Sequence, residues 1–190
     1  CPAYTPDTIG QFIAGSSHIT FNSINQWKRF KADIEAWNAA DGNHHVSPGL
    51  RVNPQCSVIE TDIYNPALPG SRFGVTADMK AITAIEGLHF HSLCESDSHA
   101  LAKVLDAFEQ QFGKYLRQVK WVNMGGGHLM TREGYDVNHL IQLLKDFKSR
   151  YPWLEVIMEP GSAFTWQTGD LVTSVVDVVE NQGVKTAIID

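Results

Sequence analysis

Apolar residues return along this chain in two alternating rhythms. Short apolar or β-branched runs read as buried strands, and between them apolar positions recur every three or four residues, the spacing of amphipathic helices. Residues 17–21 read as the first strand. Ser23 is placed to cap a helix carrying Ile24, Trp27, Ile34 and Trp37 along one side, and Gly42 breaks it. Residues 49–52 form the next strand, whose regularity ends at Pro54. Residues 56–70, with Pro66 and Pro69, are a long loop of the kind that is usually functional or mobile. A third strand spans 87–91. Ser96 or Asp97 then opens a helix with Leu101, Val104, Leu105, Phe108 and Phe112 on one face, and Gly113 is expected to end it at C′. The fourth strand is 121–124. Asp136 caps a helix with Leu140, Leu143, Leu144 and Phe147 facing inward, Pro152 marks its end, and 154–158 is the fifth strand. Two further strand-like runs, 171–179 and 185–189, follow with no helix between them.

Five strand–helix units in succession predict a parallel sheet with right-handed crossovers. The expected fold class is α/β, a partial (β/α)8 barrel, because five units do not close an eight-stranded one. Residues 1–170 are expected to be the barrel portion and 171–190 connecting strands leaving it. The chain opens on Cys1-Pro2 without an initiator Met and stops inside a strand-like run, so it reads as a piece of a longer polypeptide.

Composition narrows the classes. The 190 residues are 43% hydrophobic, enough for one sizeable core. The net charge is −6, with no basic stripe interleaved with aromatics, which argues against a nucleic-acid partner. No apolar run has membrane-spanning length. The three cysteines, Cys1, Cys56 and Cys94, lack CxxC spacing, so neither a disulfide framework nor structural zinc is expected, and a cytoplasmic location is the default.

The candidate chemistry gathers at strand ends. Gly125, Gly126 and Gly127 follow the fourth strand, and a loop without Cβ atoms lets backbone N–H groups approach an anion; a glycine run is also an ordinary tight turn. His91 ends the third strand, two positions after His89, so the two share a face. His91 could stack on a flat cofactor, chelate a metal together with His89, or be a satisfied core histidine. Glu159 ends the fifth strand and needs a partner there; a protonated pyridine nitrogen would serve, and so would capping of the following turn. Arg72 could donate to an anionic oxygen or lie on the surface. Cys94 suits a small buried residue better than a nucleophile, since no adjacent base is evident. Glu95 could meet a substrate ammonium or face solvent.

Taken together these motifs resemble the barrel of pyridoxal-phosphate decarboxylases of the alanine racemase-like class, also called fold type III. The resemblance runs over essentially the whole chain. Within the class, the strings 87–95 (GLHFHSLCE), 120–128 (KWVNMGGGH) and 166–169 (WQTG), with RVNP at 51–54 and YNP at 64–66, are similar to the carboxynorspermidine decarboxylase family. The resemblance implies pyridoxal 5'-phosphate as cofactor, no metal, a carboxy-polyamine as substrate and a homodimer with active sites at its interface. It implies that His91 stacks on the pyridine ring, that Glu159 pairs with the ring nitrogen, and that Gly125, Gly126 and Gly127 bind phosphate with help from Gly161 and Arg72. Cys94, Glu95, His128 and Ser162 would face the substrate. Ser162 departs from the pattern, because ornithine-type relatives carry Arg after Glu-Pro-Gly and the carboxynorspermidine branch often carries Glu. The family's Schiff-base lysine has no counterpart among the nine lysines here, and its C-terminal β domain would follow Asp190, so both are expected to lie outside this chain. Related activities of the same fold are diaminopimelate, ornithine and arginine decarboxylation. Two other readings are a metal-dependent barrel hydrolase built on His89, His91 and His128, and a barrel that binds pyridoxal phosphate without turnover.

Overall fold

The computed structural model describes residues 3–76, 79 and 83–190; Cys1 and Lys80 lie outside them. Five parallel strands form one sheet in the order β1 (His18–Phe21), β2 (Ser47–Arg51), β3 (Gly87–His89), β4 (Trp121–Asn123) and β5 (Glu155–Ile157). Helices α2 (Ile24–Ala39), α3 (Ser98–Phe112) and α4 (Val137–Arg150) connect β1 to β2, β3 to β4 and β4 to β5, whereas between β2 and β3 the described residues hold only a 3-10 turn, Asp62–Tyr64. Their N-caps are made by side chains: Ser23 accepts from the Gln26 N–H, Asp97 from Ala100 and Asp136 from His139. Each such cap is worth about 1 kcal/mol.

The helix-facing row of the sheet runs Phe21, Leu50, Leu88, Val122 and Val156 in register. It packs against Phe30 and Ile34 of α2 and Leu101, Val104, Leu105 and Phe108 of α3, all within one buried cluster. Burying each large side chain contributes about 1.5–3 kcal/mol relative to exposure.

The opposite face is the barrel interior, and it is polar at the C-terminal ends of the strands. Near the N-terminal ends, Trp121 lies across Gly49 and Gly87: a Cβ on Gly87 would fall 1.9 Å from its indole ring. The indole N–H donates to Ser47 Oγ at 2.8 Å, which anchors this plug. One step further along, Arg51, His89 and Asn123 form a single row in register. His91 and Glu159 follow in the loops beyond β3 and β5.

Four elements depart from the sequence reading. Helix α1 (Pro6–Ala14) precedes β1, with Thr5 and Thr8 forming a capping box and Ile9 and Ile13 buried. Gly113 does not end α3 in a left-handed conformation: its φ is −53°, and the chain continues as a 3-10 helix, Gly113–Gln118. Residues 171–174 are not strand; β6 (Val175–Asn181) and β7 (Val184–Ile189) pair as an antiparallel hairpin with both strands exposed. A five-residue helix, α5 (Gly161–Thr165), lies between β5 and that hairpin. No helix among the described residues is long and apolar enough to cross a membrane.

Candidate active site

A cavity of about 360 Å3 opens at the C-terminal ends of the strands. Arg51, His89, His91 and Glu159 line it, with Thr20 and Asn22 from β1 and its following loop and Tyr4 and Phe12 from the N-terminal segment. The polar row of the interior therefore leads directly into it.

Glu159 is held from one side. Asn123 Nδ2 donates to its Oε1 at 2.8 Å, while Asn123 Oδ1 accepts from the Gly125 N–H at 2.8 Å. The Glu159 backbone N–H in turn donates to the Gly125 carbonyl. The side chain does not cap the following turn; it points into the cavity with 48% of its surface exposed. Arg51 supplies the positive charge next to it. Burial lowers the Arg51 pKa and the Glu159 carboxylate pulls it back up. Arg51 also donates to the His91 carbonyl at 3.3 Å and lies over the Phe73 ring at 4.6 Å.

His91 is neutral. Burial, then the Arg51 charge, push its imidazole below the ordinary range against the pull of Glu159. Its Nδ1 accepts from the Gly126 N–H at 3.3 Å, which assigns the ring proton to Nε2. His89 lies one row deeper, 9% exposed. Burial, then Arg51 and His91, push its pKa down to about 3. Its Nε2 sits 3.9 Å from Glu159 Oε2, so the pair is a neutral imidazole beside a carboxylate and not an ion pair.

The glycine loop has a packing reason as well as any ligand-binding one. A Cβ on Gly126 would lie 2.6 Å from the Glu159 carbonyl oxygen and 3.2 Å from His91 Cε1, and one on Gly127 2.3 Å from the Leu93 carbonyl oxygen. Gly125 and Gly127 also adopt φ of 68° and 86°, open to glycine at little cost. The loops after β3, β4 and β5 interlock only because these positions lack side chains.

The other sequence candidates are dispersed. Arg72 is exposed and stacks on Phe73 at 4.4 Å, outside the cavity lining. Cys94 and Glu95 line a separate groove with Glu60 and Tyr64. Cys94 is exposed, contrary to its reading as a small buried residue. His128 is 1% exposed behind the glycine loop, where the Met124 and Gly125 carbonyls approach its ring without completing a hydrogen bond. Gly161 and Ser162 are exposed in the first turn of α5. Two residues that sequence reasoning did not single out, Arg51 and Asn123, are central. The available signal was their position: each ends a strand on the interior face.

His89, His91 and Glu159 bring three donor atoms within 4.8 Å of one another, a donor set that zinc accepts. Arg51 already stands beside the carboxylate, and the Gly126 N–H occupies the His91 lone pair. His128, the third histidine of the hydrolase reading, is not part of the cluster.

Parallel strands thus bring a histidine, a glycine loop and a glutamate to one rim, on a fold shared with solved decarboxylases. A carboxynorspermidine decarboxylase from Campylobacter jejuni, solved with norspermidine, superposes on 99% of this chain and 46% of its own, at a TM-score of 0.73 and 43% identity. A diaminopimelate decarboxylase matches all of this chain at a TM-score of 0.69 and 18% identity, a likeness of fold alone. In sequence, the chain is 46% identical over its full length to carboxyaminopropylagmatine decarboxylase of Synechocystis, covering 48% of that protein. It is 45% identical to carboxynorspermidine/carboxyspermidine decarboxylase of Campylobacter jejuni, covering 46% of it. The chain is thus homologous to decarboxylases of carboxylated polyamines and spans about half their length. No protein-family profile matches it.

Proposed function

We propose that this chain carries the cofactor-binding face of a pyridoxal 5'-phosphate-dependent decarboxylase that removes carbon dioxide from a carboxy-polyamine, carboxynorspermidine or carboxyspermidine, in polyamine biosynthesis. The observation that carries the reading is the Asn123–Glu159 pair: a carboxylate fixed through one oxygen, with the other directed into a cavity shared with a neutral histidine. The donor set fits the cofactor. A carboxylate suits a protonated pyridine nitrogen, an imidazole face suits a flat ring, and the cavity is of a size that holds one small ligand.

Bound pyridoxal phosphate would supply the electron sink for the carbanion left by decarboxylation. Glu159 would keep a proton on the ring nitrogen, and with it the positive charge that makes the sink effective. His91, locked by the Gly126 N–H, would fix the plane of the ring. Arg51 would set a positive charge beside Glu159 and hold the His91 backbone in place. The glycine loop, Gly161 and Arg72 would anchor the phosphate, and Cys94, Glu95, His128 and Ser162 would act on the substrate side. Among the described residues no lysine lines the cavity, so the group that carries the cofactor covalently is assigned to another part of the protein. The assembly is a homodimer whose active sites lie at the interface, and the location is cytoplasmic.

The relatives' named substrates share a carboxylated aminopropyl group on an amine and differ in the rest of the tail, so the substrate class is an amine carrying that carboxylated aminopropyl group. Assay of the intact protein on carboxynorspermidine, carboxyspermidine, carboxyaminopropylagmatine and diaminopimelate tests this. Turnover of one of the first three supports the reading; preference for diaminopimelate overturns it in favour of another activity of this fold.

A further inference from the structure

The geometry points to His89 as the positioning residue for Glu159, closing its ring N–H onto Oε2 so that the carboxylate is clamped between Asn123 and His89 when the site is filled. The inference deepens the cofactor reading and rests on it. His89 is nine-tenths buried, faces the cavity, and makes no hydrogen bond through either nitrogen. A buried imidazole with both nitrogens unpaired is a destabilising arrangement unless some state of the protein satisfies it. Glu159 Oε2 is 3.9 Å from Nε2. That separation is too short for a bridging water and about 1 Å too long for a direct hydrogen bond.

The two ends differ in freedom. His89 belongs to β3, and its row is fixed by pairing with Arg51 on one side and Asn123 on the other. Glu159 is half exposed, in the loop after β5, and tethered only through Oε1. The carboxylate is therefore the mobile partner, and a rotation about its fixed Oε1 brings Oε2 toward the imidazole. Hydrogen bonds of this kind are often long in an empty site and tighten when the ligand binds. A carboxylate accepting at both oxygens presents its remaining lone pair on Oε2 in one direction, toward a ring held under His91. Without His89 the carboxylate retains one tether and swings.

The test uses the intact protein, stripped of cofactor and titrated with pyridoxal phosphate, comparing His89→Leu with His89→Asn. Leu keeps the volume and removes the donor; Asn keeps a donor. Dissociation constants and the visible spectrum of the bound cofactor are read together with kcat and KM. Loss of an outer partner of a ligating group costs on the order of 10- to 100-fold in affinity or activity, so Leu is expected to weaken cofactor binding by at least about tenfold and to alter the spectrum. Asn is expected to restore most of the loss. Leu binding as tightly as wild type overturns the assignment, and so does Asn as impaired as Leu, since packing alone would then explain the loss. Wild-type protein that takes up no cofactor overturns the cofactor reading itself, and the assignment with it.

Discussion

Asn123 ties Glu159 to the glycine loop through a single side-chain amide, donating to the carboxylate and accepting from the Gly125 N–H, both at 2.8 Å. Removing that amide frees the carboxylate and leaves a buried N–H without its acceptor, a defect that costs about 1–3 kcal/mol. Asn123→Ala is expected to lower thermal stability and cofactor affinity together. Asn123→Asp keeps the acceptor for Gly125 but sets a second carboxylate against Glu159, so it should retain more stability than Ala while binding cofactor no better. Melting temperature and cofactor titration, run in parallel, separate the two effects.

Gly126→Ala introduces a Cβ 2.6 Å from the Glu159 carbonyl oxygen, a backbone atom that can retreat only if the loop after β5 moves. The variant is expected to weaken cofactor binding and to lose turnover by more than about tenfold, because the geometry of the reacting atoms is sensitive to shifts of about 1 Å. Gly10→Ala is the contrasting case. Gly10 sits exposed inside α1 with nothing within 4 Å of a new Cβ, so the substitution should stabilise the protein by about 0.5–1 kcal/mol and leave cofactor binding unchanged. Chemical denaturation, cofactor titration and turnover assays of both variants check the pair.

The strand and helix order was legible because each element has its own period and its own punctuation; Ser23, Asp97 and Asp136 all cap where a side-chain oxygen precedes an apolar stripe. Gly113 misled because a glycine permits a left-handed cap without requiring one, and here tertiary packing of Tyr115 and Leu116 carries the chain on. His91 and Glu159 were legible as strand-end residues, and the cavity joins them. Arg51 and Asn123 were not, since an arginine or asparagine at a strand end looks like any surface polar residue until strand register sets it inside. Gly49 and Gly87 were equally silent: their reason is Trp121, 34 residues beyond Gly87 and two strands away from Gly49.

A second network, at the N-terminal ends of the strands, sets acid stability. Burial pushes the Glu86 carboxyl up, but hydrogen bonds from Lys120, Ser47 and His45 outweigh it and bring the pKa down to about 2 from 4.5. A depressed carboxyl contributes stability that is fully present above its unfolded pKa and disappears as pH falls through the folded one. Wild type is therefore expected to be more stable than Glu86→Gln at pH 7, with the gap shrinking below about pH 4.5 and closing near pH 2. Urea denaturation of both proteins across that range measures the gap; a gap that is flat with pH would show that the network adds no charge-dependent stability.

In the proposed function, Glu159 and His91 grip a pyridoxal phosphate ring. The most direct measurement is the visible absorption of the intact protein with bound pyridoxal phosphate, recorded for wild type, Glu159→Gln and His91→Ala at matched cofactor concentration. A bound-cofactor band is expected in wild type, a changed band with most turnover lost in Glu159→Gln, and weaker retention of the cofactor in His91→Ala. A wild-type protein that shows no such band, or variants whose spectra and cofactor retention match wild type, would contradict the proposed function.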